Sequence, residues 1–326
     1  MNITRRGFAS LAATPAIARA QAGYPERPVT LVAPFSAGGA ADIAARTLAA
    51  HAPRLFGLPT PPVIVVENRT GASGAVGTQH VARARPDGYT LLLARVGSSA
   101  ILPATDPRTP YALDDFTWLA MLDENPFVIC VRADAPWRSL GELVAALRDA
   151  PGRLNFATSG PATILDLGVR HMLASAGLPL DAAQAIPFRG GGEALTSLLG
   201  GQTQFVGNNL GDMMGAIQQG QVRALVVSGE TRLATLPDVP TAAEAGMPAL
   251  SALAGWNALA GPAELPEPVM AAWGRVTAAL AGDADWLAAT RRVGSVPRIL
   301  GPQAARAHVE RQLTLYRELA RRLGLA

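Results

Sequence analysis

Val29-Thr30-Leu31-Val32-Ala33-Pro34-Phe35-Ser36-Ala37-Gly38-Gly39-Ala40-Ala41-Asp42 is the stretch that decides the fold. Its first five residues form an apolar, β-branched run; a glycine-rich turn follows, and then an alanine-rich helical pattern through His51. Strand, tight turn and helix open a strand–helix–strand unit, and in an open α/β sheet ligands sit outside the carboxyl ends of the strands. A glycine turn there lets backbone N–H groups approach an anion, and the following helix N-terminus adds about half a positive charge. A dinucleotide turn is the sharper alternative, because Glu67 follows the apolar run 63–66 much as a ribose-binding acid would. Against it, Gly38-Gly39-Ala40 does not fit G-x-G-x-x-G. A tight turn that binds nothing is the bland alternative.

Outward from this stretch the same alternation repeats. β-rich runs at 29–33, 63–66, 89–93, 128–131, 154–157, 185–187, 204–206 and 225–227 are predicted strands. Helical patterns cover 41–51, 77–83, 140–148, 165–174, 193–199, 213–219, 241–245, 268–281 and 304–323. The alternation predicts parallel sheets with helices on both faces. Ser139 with Glu142 and Thr241 with Glu244 have capping-box spacing, in which hydroxyl and carboxylate satisfy each other's orphan amides. Two further glycine-bearing turns lead from a strand into a helix. Thr158-Ser159-Gly160-Pro161-Ala162-Thr163 offers three hydroxyls to a carboxylate, and Thr163 with Asp166 also fits a capping arrangement. Phe188-Arg189-Gly190-Gly191-Gly192-Glu193 is the other. The pattern divides the 326-residue chain into residues 23–123 plus 228–326 as one lobe and 124–227 as a second, with two chain crossings between them.

Composition narrows the function. Hydrophobic residues make up 49% and charged residues 16%, enough apolar material for a sizeable core. Residues 1–22 carry Arg5, Arg6 and Arg19 and no acid, so without them 25 cations face 25 acids. A neutral chain with 5% aromatics and no arginine-rich run is not expected to bind nucleic acid. All 28 cations are arginine, which removes Schiff-base chemistry and the Walker P-loop. Cys130, the single cysteine, lies in an apolar run and is expected to be a buried hydrophobe. Thr4-Arg5-Arg6-Gly7-Phe8 matches a twin-arginine export signal, with cleavage expected near Ala20 or Ala22 and a periplasmic mature protein. An enzyme finds little support: His51, His80, His171 and His308 are scattered and expected at the surface or in caps, and Gly71-Ala72-Ser73-Gly74 lacks the spacing of a nucleophile elbow. No cofactor is expected.

Taken together, the residues resemble the solute receptors of tripartite tricarboxylate transporters, the Bug-type receptors. The resemblance runs from Tyr24 to the C-terminal helix. It is carried by residues 34–39 with Asp42, Val66-Glu67-Asn68-Arg69, Gly71–74 with Gly77, Pro86-Asp87-Gly88-Tyr89, Pro151-Gly152-Arg153, Gly190-Gly191-Gly192, Leu199-Gly200-Gly201-Gln202 and residues 236–246. It implies a two-lobed, type II-like periplasmic binding protein, each lobe a mainly parallel sheet flanked by helices. Such a monomeric receptor closes on a small carboxylate and hands it to membrane permease subunits. Carried over by position, the ligand would meet Phe35, Ser36, Ala37, Gly38, Gly39 and Asp42, with Ala72 and Ser73 nearby. From the other lobe it would meet Thr158, Ser159, Gly160, Thr163, Arg189, Gly190, Gly191 and Asn208. A sensor reporting to a kinase, or a hydrolase or isomerase using the same cleft, are the alternatives.

This sequence departs from the family pattern at several positions. Asp166 stands where a histidine is usual, Pro161 stiffens a flexible turn, Asn208 replaces a common aspartate, and Arg95 occupies a place usually small or hydroxylic. If Arg95 faces the cleft it offers a bidentate partner to a second ligand carboxylate. If Asp166 does, an ammonium group fits. Surface or capping duty is the other reading for both.

Overall fold

The computed structural model describes residues 24–324. The expected export segment, with its arginine pair and cleavage points, lies outside the described residues. In chain order the elements are β1 (Val29–Ala33), α1 (Ala40–His51), β2 (Ile64–Asn68), α2 (Ala75–Ala82), β3 (Thr90–Arg95), α3 (Leu102–Thr105) and β4 (Phe116–Arg132). Next come α4 (Leu140–Asp149), β5 (Leu154–Thr158), α5 (Ile164–Ser175), β6 (Ala183–Pro187), α6 (Gly191–Leu199), β7 (Phe205–Asn209), α7 (Leu210–Gln218) and β8 (Val222–Val227). The chain ends with β9 (Ala254–Pro262), α8 (Glu267–Leu280), α9 (Ala284–Arg292), β10 (Val296–Leu300) and α10 (Pro302–Arg322).

The strands sort into two groups that share one member. β1 lies between β2 and β3, all parallel, and β9 adds to β3 antiparallel. In the second group β5 lies parallel to both β6 and β7. β4 belongs to both: Phe116 to Pro126 pairs with β9, and Phe127 to Val131 pairs with β7. β10 and β8 also join β4 antiparallel, β10 along Met121 to Glu124 and β8 along Val128 to Arg132. Six of the eight expected strands pair in parallel; the runs 128–131 and 225–227, expected in parallel sheets too, instead pair antiparallel, and with β9 and β10 they make both sheets mixed. Most of β4, with β9 and β10, escapes a sequence reading for a physical reason. Ala254-Gly255-Trp256-Asn257-Ala258 has little β propensity, yet β9 is buried along nearly its whole length and is fixed by pairing on both sides.

Residues 228–253 were expected to return to the first unit, but they stay on the second. Val227 N donates to Pro240 O, Ala242 N to Val227 O, and the His171 ring lies 3.1 Å from Ala249 O. The crossing back comes at β9. Residues 241–245 form a hydrogen-bonded turn, not a helix, although Thr241 and Glu244 make the reciprocal capping pair at 2.8 and 3.2 Å. Ser139 caps α4 as expected, accepting from Glu142 N at 3.2 Å. His308 is buried against the Trp256 ring rather than at the surface.

Apolar side chains fill the space between sheets and helices, with Trp256, Trp273, Tyr316, Phe127, Phe156 and Phe205 the largest fully buried groups. Cys130 is buried in β4, and burial pushes its thiol well above the ordinary range. The Phe127 ring is accommodated by two glycines, Gly168 and Gly207, where an added Cβ would come within 2.5 Å of it.

Candidate functional site

The three glycine-bearing turns lie at the carboxyl ends of β1, β5 and β6, where the topology leaves helix N-termini facing one another. Gly39 is the N-cap of α1 and Gly190 the N-cap of α6, and neither N-cap residue supplies a side-chain cap. The turns of the two units meet directly. A Cβ added at Gly192 would lie 3.0 Å from Gly39 N, and one at Gly190 would lie 2.9 Å from Ser36 N. A second contact across the units joins Ser73 Oγ, which donates to Pro161 O at 2.7 Å. Ala72, Ser73 and Ala162 beside this contact all have left-handed φ, of 46, 55 and 57°. Non-glycine residues held there store backbone strain of order 1–3 kcal/mol each and persist only where surrounding packing imposes it.

Between the turns lies a small cavity of about 20 Å³, room for about one water molecule. Phe35, Gly39, Arg95, Ser159, Thr163 and Gly191 reach its wall. Beside it a larger groove of about 760 Å³ runs between the two units and takes in Ala72, Ser73 and Asp166. The remaining expected residues sit behind this surface. Asp42, at the third position of α1, accepts from Gly38 N at 2.9 Å and pairs with Arg46. Burial would raise its carboxyl, but Arg46 and the Gly38 N–H outweigh that and hold it below its ordinary value. Ser36 is buried against Gly190, while Ala37 and Gly38 are exposed at the turn. Asn208 is buried and donates to Gly191 O at 3.2 Å, so it braces the α6 turn. Arg189 points to solvent and pairs with Glu193.

Two expectations about capping and charge change here. The Thr163 hydroxyl does not cap α5; it donates to Gly160 O at 2.9 Å, as Thr158 does at 3.0 Å, so both stiffen the turn internally. Asp166 takes Arg170 Nε with both oxygens at 3.0 Å, so its charge is already matched by a neighbour one helical turn on. Arg95 does face the cavity and is 4% exposed. Its Nη1 donates to Asn257 Oδ1 at 2.6 Å, and Asn257 Nδ2 donates in turn to Asp123 Oδ1 at 2.7 Å.

The sequence reading missed Asp123, Asn209, Asp212 and Asn257, all buried. Asp212 lies in the first turn of α7 and reaches across to the other unit, where Ala40 N of α1 donates to its Oδ1 at 2.5 Å. Burial raises the Asp212 carboxyl against the opposing pull of Arg95 and that N–H. Burial also pushes Asp123 up to about 7, against Asn257 and Arg95, and it lowers Arg95 against the attraction of both acids. One guanidinium and two carboxylates thus share a buried region. A signal for Asp212 exists in the sequence: it is an acid enclosed by Leu210, Gly211, Met213 and Met214. The bland interpretation, an acid complementing a helix N-terminus, conceals it.

The model of the tripartite tricarboxylate transporter family receptor matches residues 45–282. Protein BugT of Bordetella pertussis is 31% identical over 306 residues, covering 92% of this chain and 90% of that protein. Among solved structures, the periplasmic binding protein BugD is 30% identical with a TM-score of 0.85, covering 93% of this chain and 99% of that one. Rpa4515 of R. palustris, solved with adipate, is 27% identical with a TM-score of 0.86, covering 92% and 98%. The architecture is the α/β periplasmic binding protein fold with mixed sheets and flanking helices. By sequence and by fold, the chain belongs to the tripartite tricarboxylate transporter receptor family.

Proposed function

We propose that this chain is a periplasmic solute receptor that captures a small carboxylate-bearing metabolite between two lobes and delivers it to the permease subunits of a tripartite transporter. The lobes are built on the two sheets, and β4 and the lead into β9 serve as the hinge strands. The observation that supports the reading most is the meeting of helix N-termini from opposite units around a cavity that also holds the buried Arg95. The N-termini of α5 and α6, which have no side-chain cap, together with a buried guanidinium, favour an anionic group there. In this reading the carboxylate lies against Arg95 and the N-terminus of α5. Opening of the lobes admits it, since a metabolite of several carbons exceeds the small cavity. The rest of the ligand then extends toward the groove beside Ser73 and Ala162. The protein acts as a monomer, exported under its N-terminal signal, and uses no cofactor.

A thermal-shift screen against mono-, di- and tricarboxylates, amino acids and neutral sugars tests this. At 100 times its dissociation constant a ligand stabilises by about 2.7 kcal/mol, which gives a clear rise in Tm. A rise with at least one acid and none with sugars is expected. A rise with a neutral sugar alone overturns the reading.

A further inference from the structure

The anion site formed by the two glycine turns already has an occupant supplied by the chain itself. Asp212 Oδ1 takes the first N–H of α1 at 2.5 Å. A Cβ added at Gly39 would lie 3.0 Å from that oxygen, and one added at Gly191, at the start of α6, would fall on the carboxylate itself. The Asp212 carboxylate thus sits at the junction of α1 from one unit and α6 from the other, where a ligand anion would be expected.

Arg95 reaches the same cavity from the first unit, and its recorded hydrogen bond is to the neutral Asn257. Arg95 and Asp212 therefore both line this cavity, both buried, and come from opposite units. The N-terminus of α5, with Thr163, Ile164 and Leu165, lies on the cavity wall as well. A ligand carboxylate placed against Arg95 and α5 is well matched. A second carboxylate placed at Asp212 would meet a like charge in a buried space, and like charges juxtaposed in such a place strongly disfavour the partner that brings them. An ammonium there would instead complete an ion pair.

Resting on the receptor reading above, we infer that Asp212 and Arg95 together set specificity: this receptor takes a zwitterion, a carboxylate with an ammonium group, in preference to a dicarboxylate. Arg95 receives the carboxylate. Asp212 receives the ammonium and keeps its bond to the α1 N-terminus, so that closure and recognition of the cationic end occur through one side chain.

The test is isothermal titration calorimetry of the purified protein with adipate, glutarate and succinate. Each is compared with the ω-amino acid of the same chain length, the plain monocarboxylate, and a panel of α-amino acids. At least one amino acid is expected to bind at least tenfold more tightly than every dicarboxylate and monocarboxylate. Asp212→Asn is expected to shrink that ratio tenfold or invert it, while Asp212→Glu preserves its direction. Preference of the unaltered protein for a dicarboxylate or a monocarboxylate overturns the inference and leaves the receptor reading intact. So does an unchanged ratio in a folded Asp212→Asn protein. If Asp212→Asn does not fold, the preference of the unaltered protein decides. Failure of every acid to bind, amino acids included, overturns the carboxylate reading and this inference with it.

Discussion

Asp123 sits where burial and counter-charge compete. It shares Arg95 with Asp212, so the enclosed trio would carry one negative charge in excess if both acids were ionised, and burial raises both carboxyls. With a folded-state value of about 7 against about 3.9 for an unfolded aspartate, the native protein binds more protons than the unfolded chain between those limits. Native stability from this group therefore falls as pH rises from about 4 toward 7 and levels off above. Asp123→Asn keeps the shape and an acceptor for Asn257 while removing the titration. The variant should match the unaltered protein in Tm at or below about pH 4, exceed it increasingly as pH rises, and keep a constant advantage above about pH 7, as read by calorimetry across the range. A lower Tm at pH 8 would show that the ionised carboxylate is needed to neutralise Arg95. At this scale the sequence is least legible. Arg95 stood out because, just after a strand, it occupies a place that is usually small or hydroxylic in the family the sequence resembles. Asp123, Asp212 and Asn257 did not, since their meaning lies in partners 134 and 172 residues away.

Elements were readable wherever local chemistry and tertiary context agree. β1, β5 and the helices α1, α4, α5 and α10 have runs or periodicities that state their type, and the glycine turns between strand and helix marked the ends that face the site. β9 and the first half of β4 were not readable, because burial on both faces and pairing on both edges replace the alternation that marks a half-exposed strand. β7 shows how tightly such an element is matched to its neighbours. Gly207 in its middle lies under the Phe127 ring, and an added Cβ would come 2.5 Å from that ring and 2.8 Å from Val169. The same ring packs against Gly168, where an added Cβ would also come within 2.5 Å, so it sits between two glycines. Gly207→Ala should therefore lose about 1–3 kcal/mol through overpacking, measured by urea denaturation, with little change in the slope. An unchanged midpoint would mean that the ring has room the geometry does not show.

For the whole molecule, the meeting of the two units is separable from the folding of either. Gly190 has φ 175°, extended backbone open to any residue, yet a methyl group there would press on Ser36 N at 2.9 Å in the opposite unit. Gly190→Ala should leave Tm nearly unchanged while weakening ligand binding tenfold or more. Small-angle scattering should also give a larger radius of gyration under saturating acid than for the unaltered protein. A normal affinity would show that the turns need not touch. Two α/β units could be inferred from the repeated alternation, but the placement of residues 228–253 could not. Nothing local distinguishes a segment that returns from one that lingers, and only its bonds to Val227 decide the matter.

β4 has a consequence for how the chain can be divided. Seventeen residues long, it is an interior member of one sheet for its first part and of the other for its last. Cutting near residue 124 would strip a load-sharing rib from both halves at once, so neither fragment would be a complete body. Bending must then be absorbed by torsion within a continuous ribbon, in the manner of a leaf spring, and each half feels the strain of the other through the same backbone.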